Sequence, residues 1–170
     1  MKRLFITGGS GLLGSRFSKF TDEYEVTTTY NKNPKEHSVK LDITDEKDVL
    51  NKIESLSPDL VVHPAALTNV DYCEDHKEEA YKINAQGTLN MVKACEKIDS
   101  KLIYVSTDFV FDGTEGSYKE TDKTNPISYY GLSKLKGEEF VQESDIKSAI
   151  VRVSVLYGWH ENFNYVMWVI

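Results

Sequence analysis

The 170-residue chain has only two cysteines, Cys73 and Cys95, only four prolines, and no apolar run near the roughly 20 residues needed to cross a bilayer. Two thiols do not make a disulfide framework, and no secretory leader precedes the first strand-like run, so the expected compartment is the reducing cytoplasm. Positive charge is also short. Lys and Arg number 20 against 27 Asp and Glu, and the formal charge is -7. The lysines are interleaved with acids, which argues against a nucleic-acid surface. His37, His63, His76 and His160 are scattered along the chain without a compact ligand pair, so no metal site is expected. With 40% hydrophobic and 28% charged residues, the chain has the composition of one soluble domain with a buried core.

Apolar runs alternate with helical patterns. Leu4 to Ile6 predicts a strand, which stops at a glycine turn before Leu12, Leu13 and Phe17 recur at helical spacing. Residues 25–30 and 39–41 suit two further strands. Thr44 stands where an N-cap would open an amphipathic helix through Val49, Leu50, Ile53 and Leu56, and Pro58 closes it. Residues 59–62 predict a buried strand, 78–98 one long helix, 101–106 a fifth strand, 128–143 a helix and 149–155 a sixth strand. Continuously apolar strands alternating with helices imply an α/β fold, a doubly wound parallel sheet of the Rossmann type. The expected division is a dinucleotide-binding domain over residues 1–158 and the start of a truncated substrate-binding portion over 159–170. The apolar segment 164–170 has no evident element to pack against.

Gly8, Gly11 and Gly14 follow the first strand at three-residue spacing, one residue removed from the G-x-G-x-x-G fingerprint. Such a turn brings backbone N–H groups close to a pyrophosphate. The end of the second strand lacks the acid that would read a ribose 2'-hydroxyl. Asn31 and Lys32 stand there instead, either receiving a 2'-phosphate, which favours NADP(H) over NAD(H), or forming a solvated loop. Asp42 is placed for an adenine contact or for a helix cap. After the fourth strand, Ala65 and Ala66 would let the chain pass beneath a cofactor. Ser106 and Thr107 end the fifth strand at the edge where doubly wound sheets bind ligands, with local capping as the plainer alternative. Tyr130 and Lys134 share a helix face two dozen residues later, although a chain this rich in Tyr and Lys yields about one Tyr-x-x-x-Lys by chance.

The glycine turn, the run Ser106-Thr107-Asp108-Phe109-Val110-Phe111-Asp112-Gly113, and the stretch from Tyr118, Glu120, Asp122 and Pro126 through Tyr130-Gly131-Leu132-Ser133-Lys134 to Glu138 occur in this order. Together they resemble the extended short-chain dehydrogenase/reductases, and within them the dTDP-4-dehydrorhamnose reductase family. The resemblance covers essentially the whole chain. It departs from the family at Leu12 and Leu13, where Gln or Met is common, and at His63-Pro64-Ala65-Ala66, where Asn-Ala-Ala is usual. It implies Thr107, Tyr130 and Lys134 as catalytic residues. Tyr130 and Lys134 also hold the cofactor, together with Gly8, Gly11, Leu12, Leu13, Gly14, Asn31, Lys32, Asp42, Ile43, Ala65 and Ala66. The implied activity is NADPH-dependent reduction of the C4 ketone of a nucleotide-linked 4-keto-6-deoxy sugar, with NAD(H) as the second cofactor option. Alternatives within the resemblance are a nucleotide-sugar epimerase or dehydratase, and a non-catalytic NADP-binding subunit similar to the methionine adenosyltransferase beta subunit. The expected partners are a nucleotide sugar and a second copy in a homodimer, with no nucleic acid and no membrane. Lowering the Tyr130 pKa from about 10 to 7 requires roughly 4 kcal/mol of preferential phenolate stabilisation, of which Lys134 is expected to supply part and the positive nicotinamide ring of the oxidised cofactor to add more.

Overall fold

Local strand signals become one sheet because each strand sorts its residues onto two faces. The computed structural model describes residues 1–17, 19 and 22–158. Among them, β1 (Lys2–Ile6), β2 (Tyr24–Tyr30), β3 (Ser38–Lys40), β4 (Leu60–His63), β5 (Lys101–Thr107) and β6 (Ser148–Val153) pair in parallel in the order β3-β2-β1-β4-β5-β6. Phe5, Val61, Leu102 and Tyr104 join one buried cluster, while their neighbours Leu4, Ile6 and Val62 join another, as the two-residue period of a strand requires. The first cluster is completed by Val49 and Ile53 of α2 (Glu46–Leu56), Met91, Ala94 and Cys95 of α5 (Gly87–Ile98), and Val141 of α6 (Tyr129–Gln142). Phe17, at the end of the short α1 (Gly14–Phe17), covers the second. The order reverses direction at β1 and β4, so the crevice of this doubly wound sheet opens between the ends of those strands.

Several boundaries differ from expectation for local reasons. Asp45, not Thr44, caps α2, accepting the amides of Lys47 at 3.0 Å and Asp48 at 3.1 Å, because Thr44 is turned back onto Asp42. The helix closes at Ser57, whose left-handed φ of 42° lets its amide reach the Ile53 carbonyl just before Pro58. A helix absent from the sequence expectations, α3 (Val70–Asp75), starts at the Asn69 cap. The expected single helix over 78–98 consists of α4 (Lys77–Ala80), a π turn at Tyr81–Gln86 and α5. β6 ends at Val153 instead of 155. The expected boundary after residue 158 and the apolar segment 164–170 lie outside the described residues.

Candidate functional site

The glycine turn is shaped by close backbone approach. Gly8 adopts φ +61°, and a Cβ there would stand 3.2 Å from the Ala65 Cα; one on Gly14 would collide with the Gly8 carbonyl. Ala65 after β4 therefore serves the turn first, letting the β4 segment lie against it. Gly9 and Gly11 donate their amides to the Thr29 and Gly8 carbonyls, whereas no acceptor among the described residues takes the amides of Leu12 and Leu13. A Cβ on Gly11 would meet only the Gly8 carbonyl, at 3.3 Å, so the turn keeps an approachable backbone. That donor set fits a pyrophosphate.

On the β5 side, α6 begins at Ser128, whose hydroxyl accepts the Gly131 amide at 3.1 Å. Its inward stripe is polar: Tyr130, Ser133, Lys134 and Glu138 are all buried. Gly137 allows this, because a Cβ there would strike the Tyr104 hydroxyl and come within 3.0 Å of the Asn84 carbonyl. The close approach drives the Lys134 ammonium 4.2 Å above the Tyr104 ring, where it donates to the Val105 carbonyl at 2.7 Å. Burial pulls its pKa down to about 7, with Glu138 working in the opposite direction. Tyr130 is 9% exposed and packs edge-on against Phe109, with ring centroids 5.7 Å apart. Burial raises its phenol pKa, the facing Thr107 hydroxyl opposes that rise, and Cys73 and Asp108 add to it.

The expected acidification of Tyr130 by Lys134 is therefore corrected. Lys134 is not among the groups that shift the phenol, and desolvation wins. The structure does bring Thr107, Tyr130 and Lys134 together at the end of β5, where Thr107 also accepts the Phe109 amide at 3.2 Å. The Ser106 hydroxyl beside it is buried with no partner among the described residues.

Other expected cofactor residues are distributed less tightly. Asn31 and Lys32 are exposed beyond β2, and Ala65 and Ala66 are half-buried beyond β4. Asp42 uses its carboxylate on the Thr44 amide, 2.9 Å away, and on the Thr44 hydroxyl, so among the described residues it stabilises a turn and caps no helix. The Ile43 side chain is turned into the core against Gly87, and its carbonyl accepts from Asn90 at 2.9 Å.

Three features were not anticipated. Asn84, in the π turn, accepts the Leu67 amide at 2.7 Å and donates to the Leu67 carbonyl at 3.0 Å and to the Ser133 hydroxyl at 2.9 Å. Glu138, with no exposure, pairs with Arg152 of β6 at 2.7 Å. His63 is buried with both ring nitrogens engaged. The available signal was polar residues on an inward helical stripe, at 84 and 88 and at 133, 134 and 138. Beyond Thr107 a groove of about 1010 Å³ opens, lined by Asp108, Phe109, Phe111, Ile127 and Arg152 among others; Thr107, Tyr130 and Lys134 are not in its walls.

A parallel sheet of this order, with a glycine turn after β1 and a buried Thr, Tyr and Lys at the end of β5, has the architecture of the extended short-chain dehydrogenase/reductases. The chain belongs to the family described as RmlD substrate binding domain, whose model matches residues 1–170. It is 37% identical over 166 residues to a dTDP-4-dehydrorhamnose reductase of Aggregatibacter actinomycetemcomitans, covering 95% of this chain and 54% of the relative. It is also 37% identical over 161 residues to methionine adenosyltransferase 2 subunit beta of Bos taurus, covering 92% of this chain and 48% of that protein. The solved dTDP-4-dehydrorhamnose reductase of Bacillus anthracis, in complex with NADP, superposes with a TM-score of 0.88 at 39% identity, covering 98% of this chain and 58% of that one. The chain thus spans about half the length of these relatives. Among the described residues no helix is long and apolar enough to cross a membrane.

Proposed function

We propose that this chain carries the NADP(H)-binding and proton-donating half of a reductase that acts on the C4 ketone of a nucleotide-linked 4-keto-6-deoxy sugar. The observation that carries the proposal is the co-burial of Thr107, Tyr130 and Lys134 at the carboxyl end of β5, beside the crevice floored by Gly8 and Ala65. NADPH supplies the hydride, and the bound cofactor of the Bacillus anthracis relative supports that choice, with NAD(H) the second option.

In this reading the amides of Leu12 and Leu13 hold the pyrophosphate, and Asn31 and Lys32 receive the 2'-phosphate. Thr107 orients the ketone oxygen and Tyr130 donates the proton to it. The Thr107 hydroxyl also favours the phenolate as it forms, and Lys134, anchored on the Val105 carbonyl, holds the nicotinamide ribose. Burial keeps Tyr130 protonated at neutral pH, which is the state a proton donor requires.

The test is NADPH oxidation by the purified chain with and without a dTDP-4-keto-6-deoxy sugar. Oxidation appears only with the sugar, and Tyr130→Phe lowers it by about 10²–10⁴-fold while NADPH binding persists. The identity to the methionine adenosyltransferase subunit supports a second reading, a dinucleotide-binding regulatory chain. NADPH binding with no sugar-dependent oxidation favours that one.

A further inference from the structure

The proton positions around His63 follow from which partners can only accept. Thr88 Oγ1 lies 2.7 Å from the Asn84 carbonyl, a pure acceptor, so its hydrogen is committed there. The same oxygen is 3.3 Å from His63 Nε2 and must accept, which places a hydrogen on Nε2. On the other side, the Ala65 amide donates to Thr7 Oγ1 at 3.2 Å, and Thr7 Oγ1 lies 2.7 Å from His63 Nδ1, to which it donates. One directed chain results: Ala65 N–H to Thr7, Thr7 to His63, His63 to Thr88, and Thr88 to the Asn84 carbonyl. Thr7 immediately precedes Gly8 of the glycine turn. Asn84 continues the link through its side chain to Ser133, whose hydroxyl donates to the Tyr130 carbonyl at 2.8 Å.

We propose that His63, held as the neutral Nε2–H tautomer, is a positioning residue that locks the glycine turn after β1 to the π turn before α5, and through it to the helix bearing Tyr130. The ring is 1% exposed and stacks on Tyr104, centroids 5.8 Å apart, while Lys134 sits 4.2 Å above that same Tyr104 ring. A second proton on His63 would face the Thr7 hydroxyl where an acceptor is needed and would add a cation near Lys134. Burial, aided by the Lys134 charge, holds the imidazole pKa at about 3.

The tautomer is tested without reference to function, whereas the binding test rests on the dinucleotide reading above. In long-range ¹H–¹⁵N spectra of the labelled chain, the imidazole lost in His63→Asn should show a protonated ε nitrogen, a bare δ nitrogen and no titration between roughly pH 5 and 8. A δ-protonated ring, or one titrating near its ordinary value, overturns the proposal. By NADPH fluorescence titration, His63→Leu binds about tenfold more weakly than the parent. His63→Asn, whose amide oxygen replaces Nδ1 as the acceptor for Thr7, stays within about threefold. A folded Leu variant that binds as tightly as the parent overturns the positioning role, as does an Asn variant as impaired as the Leu variant. If Leu prevents folding, the Asn result decides alone. Failure of the parent to bind NADPH overturns the dinucleotide reading, and the spectra still decide the tautomer.

Discussion

Lys134 offers a direct measurement of what the site costs the fold. Its amine is 1% exposed and its pKa falls from 10.5 to about 7, chiefly through burial. Above pH 10.5 the amine is neutral in both the folded and unfolded chain and carries no penalty. Between 10.5 and 7 the unfolded chain binds the proton and the folded chain does not, so stability is lost as pH falls, by about 1.4 kcal/mol per pH unit. Below 7 both forms are charged and the full penalty stands. Buried groups with raised pKa values, such as Cys95 at about 12, act in the opposite sense over the alkaline part of this range, so the raw curve mixes several titrations. Lys134→Met isolates the lysine, because it removes the charge and keeps most of the stem on the Tyr104 ring. Urea unfolding of both chains at pH 7.5 and 9.5 gives the comparison. The stability of the parent relative to the variant should rise by about 2–3 kcal/mol between those values. The lost bond to the Val105 carbonyl shifts both points equally. Parallel pH profiles for parent and variant would refute burial as the cause.

Arg152→Met strands the fully buried Glu138 carboxylate and should cost about 3–5 kcal/mol in urea unfolding, whereas Glu138→Gln should cost less, because Arg152 is 18% exposed and reaches water. The reverse order would contradict the burial argument. Asp112 accepts from Thr114, from Tyr118 at 2.6 Å and from Asn125 at 2.9 Å, and these bonds hold its carboxyl below the usual range. Asp112→Ala should speed limited proteolysis within residues 113–119. In the parent the same loosening should appear only as pH falls through the depressed pKa, because the bonded carboxylate is fully present above the ordinary value. Gly137→Ala should lower stability by about 1–3 kcal/mol, since the new methyl meets Tyr104 and the Asn84 carbonyl, and a neutral change would show that α6 can move away from β5.

The alternation of parallel strands and helices, the glycine turn and the shared helix face of Tyr130 and Lys134 were legible because each rests on a local signal with a fixed period: apolar runs, glycine spacing, and residues four apart on a helix. Asp45, Asn84 and Arg152 were not legible in the same way. Asp45 caps α2 while Asp42 captures Thr44, a competition between two acids three residues apart that the sequence leaves open. Asn84 acquires its four-way role from a π turn, which moves a residue off its helical position and is invisible to a 3.6-residue pattern. Arg152 finds Glu138 across the β6–α6 packing, which only the assembled sheet defines.

Electrostatic reasoning from sequence erred over Lys134 because spacing gives proximity and not direction. Four residues apart, Tyr130 and Lys134 share a face, yet the amine is claimed by the Val105 carbonyl and the Tyr104 ring. A resting phenol acidified toward 7 would be deprotonated in much of the population at neutral pH, and a deprotonated phenol cannot donate to a ketone. For the proposed reduction the useful arrangement is a phenol kept protonated by burial, with the Thr107 hydroxyl as the group that favours its anion, near a buried amine whose pKa of about 7 lets it exchange a proton close to neutral pH. Stabilisation is then needed only as the phenolate develops, where interactions stronger in the transition state than at rest are the ones that raise the rate.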